Sequence, residues 1–310
     1  MTLQQIYYLL TIEESDSMNK AAEKLYIAQP TLTSAVKEVE AEIGIPIFLR
    51  THKGVIPTAE GKEFLVKARA LYQQYEGLLE TYSEEGSLRR KFSVSMQHYS
   101  FAVKAFIEMM QHFDMNQFDL VLRETRTINV IRDVGSLRSE IGILYISDLN
   151  RRFIQRLFRE QELEFHPLIQ CPACVYLAKS HPLAGEKELS IGQLEPYPCL
   201  SFEQGTDAEV YLAEEAVSEH IYAKTVKTSD RATMMNLLHG LNGYTLCSSI
   251  FNERLSGDQF LVIPFKESAD SPHTIMEIGY ITKKNAALSR MGEQYIQEIR
   301  TYLAQIRKEG

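Results

Sequence analysis

Apolar positions in the first sixty residues recur with the period of a helix. Leu3, Ile6, Tyr7 and Leu10 define a first amphipathic helix. Ser17 stands where a second helix would be capped, and Ala21, Ala22 and Leu25 form its narrow apolar stripe. Alanines in that stripe let a neighbouring helix come close. Tyr26-Ile27-Ala28 interrupts the pattern, and Pro30 suits the first turn of a third helix, where no amide hydrogen is needed. Leu32, Val36, Val39 and Ile43 then cluster within about 40° of one another at roughly 100° per residue. Pro30, Thr31, Ser34, Lys37, Glu38 and Ala41 fall on the opposite face, with Thr33 at its edge. Gly44 ends this helix. The run PIFLRTHKGVIPT reads as a β-hairpin whose tip, Arg50-Thr51-His52-Lys53-Gly54, is basic.

A longer pattern follows. Thr58 can cap a helix in which Phe64, Ala68, Leu71, Tyr75, Leu78 and Tyr82 keep heptad a/d spacing for nearly three heptads. Such a seam either pairs two chains or packs on its own domain. The flanks favour pairing, because the helix joins two different compositions and ends in Glu84-Glu85-Gly86-Ser87, a hinge-like run. From Lys91 onward strand-like and helix-like stretches alternate, the pattern of an α/β fold. Strands are expected at 92–96, 118–123, 141–145, 175–178, 199–202, 244–248 and 275–282. Helices are expected at 99–113, 129–137, near 207–218, 231–240 and 286–306.

Composition changes this picture only locally. The 310 residues suit about two domains, and 45% apolar with 24% charged residues is ordinary for a soluble globular chain. No apolar run approaches the roughly 20 residues of a membrane span. The opening MTLQQIYYLLTIEESDS has neither the basic start nor the cleavage site of a signal peptide. The formal charge is −8. Residues 1–60 hold five Lys/Arg against eight Asp/Glu, a net of −3. A nucleic-acid partner would therefore be gripped through a local patch of Lys37, Arg50, Lys53 and His52. Four cysteines without framework spacing fit a reducing cytosol. Cys171-Pro172-Ala173-Cys174 is either a pair of structural thiols or a redox pair, and a strand-like run follows it rather than a helix. No metal set, P-loop, G-x-S-x-G or H-E-x-x-H is present, so neither an enzyme nor a resident cofactor is expected.

Two helices about a tight turn, followed by a basic hairpin, are the parts of a winged helix-turn-helix. Its second helix enters the major groove, where hydroxyls and short polar side chains meet phosphates and base edges. The alternative is a three-helix packing module with a solvated face. The residues also carry a resemblance. Ala21-Ala22, Gln29-Pro30, Leu32-Thr33, Glu40, Ile43-Gly44, Ile47-Phe48-Leu49-Arg50 and Thr58-Ala59-Glu60-Gly61 follow, in order, the pattern of LysR-type bacterial transcriptional regulators. Two positions depart from it: Thr33 stands where Ser is usual, and Ser34 where Arg is frequent. Further along, His181-Pro182-Leu183-Ala184 and LLHGLNGYTLCSS resemble the same family's effector-binding domain.

The resemblance implies a winged helix-turn-helix at 1–60, a linker and dimerisation helix at 58–88, and an effector domain at 89–310. That last domain would be α/β and two-lobed, shaped like a periplasmic binding protein. Its first lobe would comprise about 89–163 and 266–310, and its second about 164–265. The implied DNA-binding residues are Gln29, Pro30, Thr31, Thr33, Ser34, Lys37, Arg50, His52 and Lys53. The heptad residues become a dimer seam, Phe64 and Tyr82 included. In such sheets a ligand sits at the carboxyl ends of strands and at helix N-termini, where anions are favoured. That rule selects Ser100, Thr125, Thr127, Tyr145, Ser147, Ser201, Phe202, Gln204, Thr206, Ser229 and Ser248, each of which can also be a plain helix cap. Arg126 is either a ligand partner or ion-paired. The expected partners are double-stranded promoter DNA, a polar or anionic metabolite, a second copy as dimer or tetramer, and RNA polymerase, all in the bacterial cytoplasm.

Overall fold

The computed structural model describes residues 1–15, 17–51, 54–82, 90–113, 118–205, 208–250, 259–266 and 273–309. The chain forms two compact units, Met1–Leu88 and Arg89–Gly310. The first contains α1 (Leu3–Ser15), α2 (Met18–Lys24), α3 (Gln29–Ile43), β1 (Phe48–Thr51), β2 (Gly54–Pro57) and α4 (Ala59–Tyr82). Its core gathers Ile6, Leu10, Ala21, Ala22, Leu32, Val36 and Val39, which the helical spacing selects, together with Leu9 and Ile12, which it does not; Leu3, Leu25 and Ile43 are only partly buried against it. Ser17 occupies the N-cap of α2 without a side-chain cap bond. Tyr26 adopts φ 55° at the turn, and Gly44 closes α3 in the left-handed region at φ 76°.

Two polar side chains lock the hairpin to the helices. Glu40 Oε1 accepts from the Ile47 and Phe48 amides at 2.7 and 3.1 Å. Thr58 Oγ1 donates to the Pro46 carbonyl at 2.7 Å and accepts from the Gly61 amide at 2.8 Å, opening α4. A methyl group on Gly61 would overlap the Ile47 carbonyl oxygen. These contacts account for the Glu, Thr and Gly of the motif.

The second unit is built on a nine-stranded sheet in two halves. In the first half β3 (Arg90–Met96), β4 (Phe118–Glu124) and β5 (Ile141–Ile146) are parallel and followed by α5 (Ser100–Gln111), α6 (Thr127–Gly135) and α7 (Arg151–Glu160). The long β6 (Leu163–Ala178) then runs into the second half. That half adds α8 (Ile191–Leu194), β7 (Cys199–Phe202), α9 (Glu209–Leu212), β8 (Thr225–Thr228), α10 (Arg231–Gly240), β9 (Tyr244–Ser248) and β10 (Phe260–Pro264). The chain returns to the first half through β11 (Ile275–Lys283), and α12 (Arg290–Glu309) packs on α5. There the buried Tyr295 hydroxyl donates to the Ala102 carbonyl at 3.1 Å.

Three differences from the sequence reading have physical causes. The strand expected at 175–178 is the end of β6, which begins at Leu163. Pro167 had hidden its start, and this proline sits at a bulge where the register to β11 shifts between Ile278 and Gly279. β6 pairs with β11 as far as Pro172 and with β9 from Ala173, so the pairing changes there and not at 163/164. The helix expected near 207–218 is only the four-residue α9; Ala213–Glu219 is irregular. Apolar residues at 210, 212, 213, 216 and 217 imitate a helical stripe, but Leu212, Ala213, Ala216 and Val217 are all buried, leaving no solvated face.

Candidate DNA interface and effector cleft

In the first unit α3 exposes Pro30, Thr31, Ser34 and Lys37, while Thr33 is half-buried. Gln29 is held by its side chain, whose Nε2 donates to Thr33 Oγ1 at 3.0 Å across one helical turn. Gln5 on α1 donates to Glu38 at 3.0 Å, which draws that carboxylate toward α1. Arg50 lies on β1, but its side chain, like His52 and Lys53, falls outside the described residues. Tyr26, missed at the sequence level, is 95% exposed at the α2–α3 turn. Its positive φ is the signal that marks it, and a sequence pattern does not carry φ.

The α4 seam divides. Ala68 is buried in the unit's own core and the half-buried Phe64 packs against that core, so the domain itself takes up these two positions of the expected seam. Leu71 and Leu78 are exposed at 47% and 58% and keep the role open to them. Tyr75 lies 6.0 Å from Tyr72, which itself stacks on Tyr7 at 5.5 Å. The Tyr82 side chain lies outside the described residues, as do residues 83–89 with the hinge.

In the second unit, a polar network joins the two halves of the sheet beyond the carboxyl ends of β3, β4 and β7. The Thr127 amide, at the start of α6, donates to Gln204 Oε1 at 3.0 Å, and Thr127 Oγ1 donates to the Leu212 carbonyl at 2.7 Å. Gln97 Nε2 donates to Thr127 Oγ1 at 2.6 Å, while Gln97 Oε1 accepts from the Tyr145 amide at 3.0 Å. The Tyr145 hydroxyl reaches the Glu215 carbonyl at 2.9 Å. His98 lies flat on Phe202, with ring centroids 3.6 Å apart, and its amide and Nδ1 both meet Glu214 Oε2 at 2.8 Å. At the rim Arg126 pairs with Glu203 at 2.6 Å and Arg231 with Glu124 at 2.5 Å. Arg126 is thus ion-paired, and Gly205 at φ 66° leaves it room.

Thr127, Tyr145, Phe202 and Gln204 therefore meet in one place. Thr125 lies beside them, accepting from Asn129 at 3.1 Å. No bond of the network runs through Ser100, Ser147, Ser201, Ser229 or Ser248 among the described residues. Ser147 serves a turn with Asn150, Ser248 pairs with Ala173 in the sheet, and Ser229 is exposed. Thr206 lies outside the described residues. Gln97, His98, Glu203, Glu214 and Glu215 were not expected. The strand-end rule that chose Ser100 passes over Gln97 and His98, which follow β3 directly.

Electrostatics separates the acidic groups from the thiols. Burial, reinforced by the charge of Glu214, pushes the Glu215 carboxyl up to about 8. Burial also raises the four thiols, Cys174 to about 11 and Cys199 to about 12. Cys171 and Cys174 lie within β6, with Cys174 opposite Cys247 on β9. Thiols kept protonated in a sheet are poor nucleophiles, so the structural reading of the C-x-x-C is favoured. Among the described residues no three His, Cys, Asp or Glu side chains are grouped to hold a metal ion.

Comparison with known proteins gives this geometry its family. Residues 3–62 match the bacterial regulatory helix-turn-helix proteins of the lysR family, and residues 100–304 match the LysR substrate binding domain. The chain belongs to the LysR family of transcriptional regulators. It is 24% identical to the transcriptional regulator CysL of Bacillus subtilis over 79% of this chain and 80% of that one. It is 26% identical to the Hca operon transcriptional activator HcaR of Escherichia coli over 63% of each chain. A full-length OxyR variant from Pseudomonas aeruginosa shares the fold, with TM-score 0.69 and 21% identity over 97% of this chain and 95% of that one. LysR-type proteins are regulators, not enzymes; they bind promoter DNA and small-molecule effectors and form oligomers. No helix among the described residues is long and apolar enough to cross a membrane.

Proposed function

We propose that this LysR-type regulator reads promoter DNA with the outer face of α3, through Pro30, Thr31, Thr33, Ser34 and Lys37, with Gln29 positioned by Thr33. Arg50, His52 and Lys53 of the wing would add phosphate contacts. The observation that supports this reading is the first half of the solvent face of α3, where Pro30, Thr31, Ser34 and Lys37 stand exposed, while a helix built only for solubility would already use Glu and Lys there; Glu38 and Glu42 follow only toward its end. With so few cations per subunit, a single domain binds weakly, and a second copy supplies the rest by avidity. The exposed part of the α4 seam, Leu71 and Leu78, supports a dimer, and pairs of dimers would make a tetramer on an imperfect palindrome. The effector is a polar small molecule held between the halves of the second unit near Thr127, Tyr145, Phe202 and Gln204. Its binding biases the spacing of subunits on DNA and their contact with RNA polymerase, in the cytoplasm.

Gel shifts on the DNA upstream of the protein's own gene, repeated across a salt titration, test the interface. Lys37→Ala should weaken binding to all sequences alike and lower the slope of log K against log salt by about 1. An unchanged slope would remove Lys37 from the interface.

A further inference from the structure

A second concave site lies in the first half of the sheet, apart from the cleft network. β4 is the outermost strand there, and α6 follows it in the chain. A pocket of about 640 Å³ opens between them, room enough for a small molecule. Arg123 and Glu124 line it from the strand, Arg132 and Asp133 from the helix, and Ser136 and Arg138 from the turn that ends the helix. Neither Thr127, Tyr145, Phe202 nor Gln204 borders it. Three guanidinium groups thus meet at one concavity of a chain whose formal charge is −8.

Hydrogen bonds fix two of the three. Arg123 Nη1 donates to Ser139 Oγ at 3.1 Å, and Ser139 Oγ lies 2.8 Å from Ser95 Oγ, on β3 opposite Arg123. Ser95 spends its proton on Asp133 Oδ2 at 2.6 Å, and Arg138 Nη1 meets Asp133 Oδ1 at 3.5 Å. One buried carboxylate therefore stands between Arg123 and Arg138. Leu137, at φ 57°, turns the chain, and the Arg138 and Ser139 amides both close on the Asp133 carbonyl, at 2.8 and 3.0 Å. Burial, and then the charge of Arg138, pull the Arg123 guanidinium below its ordinary range, in agreement with this placement. Glu124 does not balance the group, because Arg231 binds both of its oxygens, at 2.5 and 3.3 Å. Arg132 has no side-chain partner among the described residues.

Three guanidiniums against the Asp133 carboxylate leave two positive charges over. The carboxyl end of α6 opposes an anion by only about half a charge. A cation in a helix's last turn steadies that dipole, which explains Arg132 alone. It does not explain Arg123, which arrives half-buried from the strand. We propose that the pocket binds a phosphate group, free or carried by a small ester, between Arg123, Arg132 and Arg138. The planar fork of a guanidinium matches an edge of a phosphate with two parallel N–H donors. Three forks from different directions suit a tetrahedral anion better than a flat carboxylate. No aromatic ring borders the pocket, so the rest of an ester is a sugar or glycerol and not a nucleobase. The site stands independently of the cleft and of its effector.

Calorimetry of the full-length protein at fixed ionic strength tests this with inorganic phosphate, glycerol 3-phosphate, succinate and glycerol. At least one phosphate compound should bind, one per chain, with succinate and glycerol far weaker. Tighter binding of glycerol 3-phosphate makes the ligand an ester; tighter binding of inorganic phosphate makes it the free ion. Arg132→Gln and Arg138→Gln should each weaken the phosphate compound about tenfold, the loss expected for one charged hydrogen-bonding partner. Arg159→Gln, the same change on α7, should leave it unaltered. Ligand-free melting temperatures establish that the variants fold. Binding of neither phosphate compound, binding of succinate or glycerol as tightly, or an equal loss in Arg159→Gln would overturn the proposal. So would an Arg132→Gln protein that keeps its phosphate binding while its promoter affinity falls, which assigns these arginines to DNA.

Discussion

Gly61 shows how much a single absent methyl group decides. Its amide is bound by Thr58 Oγ1, and its Cα faces the Ile47 carbonyl so closely that no side chain fits. Gly61→Ala should therefore destabilise the first unit by about 1–3 kcal/mol, as overpacking does, measured by urea denaturation of the full chain. Glu215 makes a prediction of the opposite character. Its carboxyl is held up to about 8 by burial and by Glu214, and Tyr145, Tyr222, Cys199 and Cys247 also lie within its field. The folded state thus keeps a proton that the unfolded chain has already lost. Stability relative to Glu215→Gln must fall as pH rises from the ordinary carboxylate range to about 8, and level off above. Melting curves of the two proteins should diverge by a few degrees across that window; parallel curves would show that Glu215 is ionised and solvated. At this scale the sequence was informative where a motif fixed a bond, as for Glu40 and Thr58. It was silent where burial set the chemistry, because nothing in Ala213-Glu214-Glu215-Ala216 says that both carboxylates lie inside.

Among the elements, α3 was legible from its spacing, since three of its four apolar positions are fully buried and its polar face is open. The long α4 was legible as a helix but only partly as an interface. A 4-3 repeat is satisfied equally by a partner chain and by the helix's own domain, and here Ala68 goes to the domain while Leu71 and Leu78 stay exposed. The proposed pairing of subunits accordingly rests on the distal half of α4. The double substitution Leu71→Glu with Leu78→Glu should leave the fold intact and shift the protein to monomer in light scattering, with promoter affinity falling at least tenfold. An unchanged oligomer would move the interface elsewhere. The longest strand, β6, was half-hidden because prolines at 167 and 172 break a strand pattern; the bulge opposite Gly279 accommodates the first of them.

At the scale of the molecule, the division of labour was visible early: a helical start, a heptad bridge and an α/β remainder. The cleft was not, because its network joins residues far apart in the chain, Gln97 with Thr127, Thr127 with Gln204, and His98 with Glu214. No local spacing connects those positions, so sequence reading could nominate strand ends but not say which of them meet. The chain is a promoter-binding regulator of the LysR family, and its base contacts are proposed to come from the outer face of α3. DNase footprinting of the DNA upstream of its own gene tests this most directly, with the wild type beside Thr31→Ala and Ser34→Ala. Two protected half-sites about one or two helical turns apart, weakened in both variants without loss of fold, are the expected result. Protection of no defined tract, or the same tract undiminished in both variants, would contradict it.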